Sequence, residues 1–195
     1  MATPKSKELY THLVPTPSRK SMNSGLSAAK VTTLTNIFGA FPSLPENCSG
    51  SSKNPHVARL LETRNVGPFR CTGIKPFLDA LTRAFAKLKA AHPILHSMIG
   101  TEGAFCYRAV RGTRSKPSNH SAGTAIDLKV NGFLPPMDYS PESPDMIPNG
   151  FVIMYGYLHE EGIFWAAGYK GDRLDTMHFE AADETLKKWD EEGKI

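Results

Sequence analysis

The sequence predicts an α+β fold in which helices pack against a small antiparallel sheet. Apolar residues recur at helical spacing over residues 76–91, which indicates an amphipathic helix with one buried face. Short segments with the branched and apolar content of strands lie near residues 104–110, 124–130 and 163–169. In a chain of 195 residues, a hydrophobic content of 40% is sufficient for one core of ordinary size.

Local signals predict the elements of the N-terminal part. Residues 1–25 are polar and rich in Ser, Pro and Lys, so we expect an extended arm. Residues 26–38 predict a short helix that is capped by Ser27 and stopped by Gly39. Residues 41–55 are rich in Pro, Ser and Asn and predict a loop.

The C-terminal part predicts helices that alternate with strands. The apolar face of the helix over 76–91 consists of Phe77, Leu78, Leu81, Phe85 and Leu88. We expect the strands near 104–110 and 124–130 to pair, and a proline-rich loop over 135–148 to border the cleft. Further helices are expected over 149–161 and 182–192.

Length and composition agree with one main domain and an appended N-terminal segment. We expect residues 71–195 to form that domain, and residues 1–70 to form an arm with a short helix that packs on it. No apolar run reaches the length of a membrane span, and residues 1–20 lack the apolar stretch of a secretory signal. Three cysteines do not indicate a disulfide framework, although one bridge stays open.

The segment from Ser118 to Asp127 carries the pattern S-x-H-x-x-G-x-A-x-D. Five fixed positions match by chance in a chain of this length on the order of once in ten thousand. Zinc in a hydrolase binds three His or Asp/Glu side chains and keeps its fourth position open for water. His120 and Asp127 are candidates for two of these three ligands.

Strand geometry explains the spacing of this motif. Side chains alternate along a strand, so Asp127 points away from the core face formed by the apolar residues on either side of it. Gly123 lets the chain turn just before the strand, which brings His120 back beside Asp127. We expect the side chain of Ser118 to hold the backbone of that turn by a hydrogen bond.

A second cluster, Asp-Thr-Met-His-Phe-Glu over residues 175–180, supplies the missing part of the site. His178 is the candidate for the third zinc ligand. Asp175 is a carboxylate three positions earlier and is placed to act as the catalytic base.

Together the two clusters resemble those of the LAS-type zinc peptidases, a group that includes D-Ala-D-Ala carboxypeptidases, dipeptidases and the L-alanyl-D-glutamate endopeptidases of phage lysins. The similarity covers roughly residues 74–179. It implies the hedgehog/D-Ala-D-Ala peptidase fold and one zinc ion held by His120, Asp127 and His178, with Asp175 as the base. Several members carry Glu at the base position, so Asp175 fits better with the phage-type endopeptidases.

The resemblance extends to residues that flank the two motifs. Similar enzymes hold the substrate carbonyl or carboxylate with an arginine placed before the first motif, and here Arg108 is the first candidate and Arg111 its competitor. The aromatic segment before Asp175 adds Trp165 and Tyr169 as candidates for supporting the ligands or binding substrate.

Three functions follow from this interpretation. The leading one is a zinc endopeptidase that cleaves peptidoglycan stem peptides at the L-Ala-D-Glu bond, and the second is a D-Ala-D-Ala carboxypeptidase. The third is a zinc-containing module that only binds a partner, since a fold does not by itself determine a function. Asp175 argues against the third, because a purely structural zinc site does not need that carboxylate.

Charge and the absence of a visible signal constrain the partners. A net charge of +4 favours attraction to anionic wall polymers. It is too small to indicate nucleic-acid binding, and no basic stripe interleaved with aromatic residues is present. We therefore expect a protein made in the cytoplasm that acts on the cell wall or periplasm after release or injection. An injected toxin would have an immunity protein as a further partner.

Overall fold

A four-stranded antiparallel sheet holds the residues that the sequence motifs single out. The computed structural model describes residues 4–18, 21–133, 146–169 and 174–195. Within the sheet the strands follow one another in the order β4 (Ile99–Gly103), β5 (Ala125–Val130), β8 (His178–Ala181) and β7 (Ile163–Trp165). Each neighbouring pair is antiparallel, so the predicted α+β class with a small antiparallel sheet is confirmed.

Helices supply most of the apolar packing around this sheet. Helix α4 (Lys75–Ala91) packs against α6 (Asn149–Glu160), while α5 (Pro93–Met98) follows α4 and α7 (Asp183–Glu191) follows β8. The predicted face of α4 is at most 1% exposed in all its members, which are Phe77, Leu78, Leu81, Phe85 and Leu88. No helix in the described ranges is long and apolar enough to cross a membrane.

Strand β5 shows the predicted alternation of side chains. Ile126, Leu128 and Val130 are buried in the core, whereas Asp127 and Lys129 keep partial exposure on the opposite face. This period of two determines which residues face the apolar core. It therefore also places Asp127 on the opposite, partly exposed face of the sheet.

The N-terminal segment contributes ordered elements. It contains α1 (Pro4–Thr11), β1 (Leu13–Pro15), α2 (Val31–Phe38) and α3 (Pro55–Leu60). The extended arm predicted over residues 1–25 is therefore wrong for the part that forms α1. Helix α2 begins after Lys30 rather than at Ser27, and the backbone N–H of Ser27 donates to Glu184.

Two small sheets connect this segment to the rest of the chain. Strand β1 pairs with β6 (Met146–Pro148), and β2 (Leu61–Asn65) forms a hairpin with β3 (Arg70–Ile74). Apolar residues from both sides of residue 70 belong to one buried cluster. Most of the proline-rich loop predicted over 135–148 lies outside the described residues, and its last three residues form β6.

Two strand predictions need correction. The strand that pairs with β5 is β4, not the segment near 104–110, whose backbone N–H groups bind elsewhere. These groups donate from Phe105 to Thr72, from Cys106 to His120 and from Tyr107 to Ser49. The strand predicted over 163–169 ends at Trp165, because Ala166–Gly168 turns into a 3-10 helix.

A disulfide between Cys48 and Cys106 ties the N-terminal segment to the chain just before the first motif. A backbone bridge between Ser49 and Tyr107 adjoins it. Cys71 is a free, buried thiol, and burial raises its pKa to about 11 although the charge of Arg64 acts in the opposite direction.

Candidate metal centre

Three potential metal ligands meet on one face of the sheet. Asp127 on β5 stands directly opposite His178 on β8 in the antiparallel register, and residues opposed in this way project to the same face. His120 lies in a 3-10 helix, Asn119–Ala122, that leads into β5. Within the described residues, the potential ligand atoms of these three side chains lie within 4.8 Å of one another.

The distances among the three ligand atoms match a tetrahedral zinc ion. His120 Nε2 lies 3.1 Å from His178 Nδ1, and Asp127 Oδ1 lies 3.3 Å from the former and 3.1 Å from the latter. Bonds of about 2.0–2.1 Å at tetrahedral angles separate ligand atoms by about 3.3–3.4 Å. The triangle therefore has the size that one zinc ion requires, and its three atoms account for three of the four tetrahedral positions.

Each histidine has its other ring nitrogen committed to an acceptor. His120 Nδ1 lies 2.5 Å from the carbonyl oxygen of Ala104, and His178 Nε2 lies 2.8 Å from Glu180 Oε2. These oxygens only accept, so both nitrogens carry protons, and the remaining nitrogens of the neutral rings point lone pairs at Asp127. Three converging lone pairs repel one another unless a cation lies between them, so the residues fit a metal.

Without a metal, a proton takes the place of that cation. Burial alone would lower the pKa of His178, but hydrogen bonds and charges from Asp127 and Glu180 outweigh it and raise the pKa to about 10. Burial would also raise the pKa of Asp127, yet hydrogen bonds from His120 and His178 lower it well below its usual range. Zinc binding at neutral pH therefore displaces a proton.

The turn before β5 requires a glycine at position 123. Gly123 has φ +68°, and a Cβ atom there would lie 2.8 Å from Leu61 Cδ2 and 3.0 Å from the backbone nitrogen of Ile74. That same nitrogen donates to the carbonyl oxygen of Gly123. The close approach of this turn to β3 is thus what places His120 over the sheet, as the glycine in the motif predicts.

Ser121, rather than Ser118, holds this turn through its side chain. The Ser118 hydroxyl makes no capping hydrogen bond to the 3-10 helix, so the role predicted for it is wrong. Ser121 Oγ instead donates to the carbonyl oxygen of Arg108 at 2.6 Å and accepts from the Arg108 N–H at 2.9 Å. Ser121 lies inside the 3-10 helix, and its hydroxyl reaches both backbone groups of Arg108.

Asp175 carries a carboxylate oxygen, Oδ1, that is buried and has no hydrogen-bond partner among the described residues. Burial raises the pKa of Asp175, and the charge of Asp127 adds to this effect while His178 opposes it. The backbone carbonyl of Asp175 accepts from the His178 N–H at 3.3 Å, so base candidate and ligand share one turn. A buried acceptor without a donor is suited to receiving a proton from a substrate or water.

Arg108 is half-buried, whereas Arg111 is exposed. Burial and the charge of Arg111 lower the pKa of Arg108, and the carboxylates of Asp127 and Asp175 act in the opposite direction. Arg108 therefore lies within electrostatic reach of a metal ligand and of the base candidate, which favours it over Arg111 as the substrate-binding arginine.

Trp165 and Tyr169 lie next to the candidate ligands and to Glu180. Trp165 is fully buried, stacks on Phe179 and donates from Nε1 to the carbonyl oxygen of Thr176 at 2.8 Å. It thereby braces the turn between Asp175 and His178. Tyr169 donates from its hydroxyl to Glu180 Oε1 at 2.9 Å.

Glu180 and Asn119 are functional candidates that the sequence analysis missed. Glu180 is completely buried and binds His178 on one oxygen, where Asn119 Nδ2 also donates to it. The available signal was the spacing of His178 and Glu180, because residues two apart on a strand share a face.

Comparison with known proteins agrees with this site. Residues 111–181 match a family model described as D-alanyl-D-alanine carboxypeptidase. The matched segment contains the three ligand candidates, Asp175 and Glu180, whereas Arg108 and the N-terminal segment lie outside it. No curated protein matches the chain. The match supports hydrolase and peptidase chemistry for this part of the chain.

Proposed function

We propose that the protein is a zinc-dependent hydrolase of peptidoglycan stem peptides, with the L-alanyl-D-glutamate bond as the first candidate for cleavage. The observation that supports this most strongly is the triangle of His120, Asp127 and His178 ligand atoms, which has the size of a tetrahedral zinc site. The match of residues 111–181 to a carboxypeptidase family supports a peptidase function for this part of the chain. We further propose that it acts on the wall after release or injection.

The site residues divide the work of peptide hydrolysis. When bound, zinc lowers the pKa of water toward neutrality and polarises the scissile carbonyl. Asp175 takes the proton from the attacking water and passes it to the leaving amine, as general base and then general acid. Its buried, unpartnered oxygen and raised pKa suit it to both tasks. Arg108 stabilises the negative charge on the carbonyl oxygen or anchors a nearby substrate carboxylate.

A D-Ala-D-Ala carboxypeptidase is the second candidate, because the description of the matching family favours it. This activity requires a cation that binds the terminal carboxylate of the substrate. Arg108 and Arg111 are available on the segment that precedes the first motif. The endopeptidase in turn is favoured by aspartate at position 175, the residue type that the resemblance associates with the phage enzymes.

Mass spectrometry of purified peptidoglycan after digestion by the zinc-loaded protein tests the proposal. New amino termini at D-Glu would establish the endopeptidase, whereas loss of a terminal D-Ala alone would establish the carboxypeptidase. The matched control is Asp175→Ala, which we expect to fold, to keep its zinc and to release no product. No cleavage by the folded, zinc-containing protein would contradict the proposed function.

A further inference from the structure

Glu180 links the metal centre to a distant part of the chain. It stands opposite Ala125 on β5, two residues after His178 on the same strand face. The small side chain of Ala125 leaves space above the sheet, and Glu180 fills it with a carboxylate that is 0% exposed. A carboxylate buried this completely is stable only when donors surround it.

Four donors from the described part of the chain surround this carboxylate. His178 Nε2 and Asn119 Nδ2 donate to Oε2. The backbone N–H of Ala29 and the hydroxyl of Tyr169 donate to Oε1, each at 2.9 Å. An ionised carboxylate has about four acceptor positions, so these donors use its whole capacity and fix its orientation.

The donor from Ala29 belongs to the N-terminal segment, more than eighty residues before the part of the chain that matches the carboxypeptidase family. Neighbouring backbone groups hold this stretch against the start of α7. Ser27 N donates to Glu184 at 2.7 Å, Lys30 N donates to Asp183 at 3.1 Å, and the carbonyl of Ser27 accepts from Asp183 N at 2.9 Å. These bonds fix the backbone of residues 27–30, so the N–H of Ala29 is held in position to donate to Glu180.

We infer that Glu180 is a positioning residue that fixes the ring orientation and tautomer of His178, and that residues 27–30 complete the metal centre by supplying the Ala29 N–H to it. This inference rests on the proposed zinc site. A carboxylate held by four donors keeps one geometry, and the histidine that donates to it keeps its Nδ1 lone pair aimed at the metal. Outer partners of this kind change metal affinity by about 10- to 100-fold when they are lost.

The experiment compares Glu180→Gln and Ala29→Pro with the wild-type protein. The first replaces an acceptor oxygen by an amide that opposes two of the donors. The second removes the backbone N–H of position 29, since proline has none, and also restricts the backbone at positions 28 and 29. Ala28→Pro is the matched control, because it places the same residue one position earlier. Zinc affinity is measured by competition with a chelator, and ligand geometry by the visible absorption spectrum of the cobalt-substituted protein.

We expect Glu180→Gln to weaken zinc binding by about 10- to 100-fold and to change the cobalt spectrum. Ala29→Pro should weaken binding in the same direction by about tenfold, whereas Ala28→Pro should leave affinity and spectrum unchanged. Tyr169→Phe removes another donor to the same oxygen and carries the test of the Glu180 role if Ala29→Pro fails to fold. Glu184→Ala, which removes the acceptor of the Ser27 N–H, then carries the test of residues 27–30 and should weaken zinc binding in the same direction.

Folded Glu180→Gln protein with wild-type zinc affinity and cobalt spectrum would overturn the positioning role. Equal effects of Ala28→Pro and Ala29→Pro would overturn the part assigned to the N-terminal segment. If the wild-type protein itself bound no zinc, the proposed function would fail rather than this inference alone. Because no readout depends on turnover, an error about the substrate leaves the test valid.

Discussion

At the scale of single residues, the buried oxygen of Asp175 favours the proposed catalytic site over a structural one. Burying a carboxylate oxygen without a hydrogen-bond donor costs free energy. A turn that only links two strands gains nothing that offsets this cost. The three candidate ligand atoms are likewise unfavourable on their own, because their lone pairs converge and repel one another without a cation. Both features become favourable once a metal and a substrate or water are present.

Arg108 gives the residue-scale prediction. We expect Arg108→Ala to lower kcat/KM by roughly 10²- to 10³-fold, because the half-buried guanidinium would be the group that stabilises charge on the substrate carbonyl. Arg111→Ala, on the exposed side of the same segment, should stay within about threefold of the wild type. Both variants should keep one zinc per chain by metal analysis. A larger loss in Arg111→Ala would reverse the assignment.

The ligand candidates could be predicted from the sequence because their spacing is dictated by local geometry. A strand places Asp127 on a known face, and a glycine turn brings His120 back to it. Glu180 was missed because a buried glutamate is recognisable only through its partners. Two of these partners, Ala29 and Tyr169, are distant in sequence or carry no motif, and a backbone N–H leaves no trace in residue identity.

At the scale of elements, the register between β5 and β8 determines the site. Shifting it by one residue would place Asp127 and His178 on opposite faces of the sheet. The turn at Gly123 positions the third candidate ligand, His120. This turn packs against β3 through a contact that leaves no space for a Cβ atom.

Gly123→Ala should therefore destabilise the protein more than a glycine replacement of equal backbone strain elsewhere. Gly112 is the matched control, since its φ of +75° is similar and a Cβ atom there would meet nothing within 4 Å among the described residues. We expect Gly112→Ala to cost about 1–2 kcal/mol from the left-handed conformation. Gly123→Ala should cost a further 1–3 kcal/mol, roughly, from steric overlap with Leu61 and Ile74.

Urea denaturation of the zinc-free proteins measures this difference without a contribution from metal binding. Equal free energies of unfolding for the two variants would show that the turn relaxes away from Leu61, and that its close contact with β3 does not place His120.

Element boundaries were predictable where side-chain pattern decides them and failed where backbone partners decide them. Helix α4 follows from its apolar period. Strand β4 was missed because Ile99–Gly103 contains two glycines and little β-forming character, so only its pairing with β5 makes it a strand. The segment near 104–110 has the composition of a strand, but its donors bind three separate parts of the chain.

At the scale of the whole molecule, the N-terminal segment is part of the same structure as the site. The disulfide from Cys48 to Cys106 spans 58 residues, and closing a loop of that length stabilises the folded state by about 4 kcal/mol in the chain-entropy model. The amide of Asn23 adds a second tie, because it exchanges two hydrogen bonds with the backbone of Trp165 at the edge of the sheet. An unpaired sheet edge is thereby covered.

The charges of the candidate metal centre predict different pH dependences for the zinc-free and zinc-loaded protein. The folded pKa of His178 is raised to about 10, above the value of about 6.5 in an unfolded chain. Its contribution to stability is therefore fully present below pH 6.5 and is lost as the pH rises toward 10. Burial also raises the pKa of Asp175, and this adds to the loss of stability as the pH rises.

Zinc cancels this slope, because its binding displaces the proton of His178 and so becomes tighter as the pH rises. One proton released per zinc adds about 1.4 kcal/mol of stabilisation per pH unit at fixed free zinc. Thermal denaturation between about pH 7 and 8.5, with zinc buffered or with chelator, should therefore show melting curves that diverge as the pH rises. In His178→Ala the two series should coincide. Parallel curves in the wild-type protein would mean that zinc does not displace this proton, and coincident curves with zinc and with chelator would contradict the ligand role of His178.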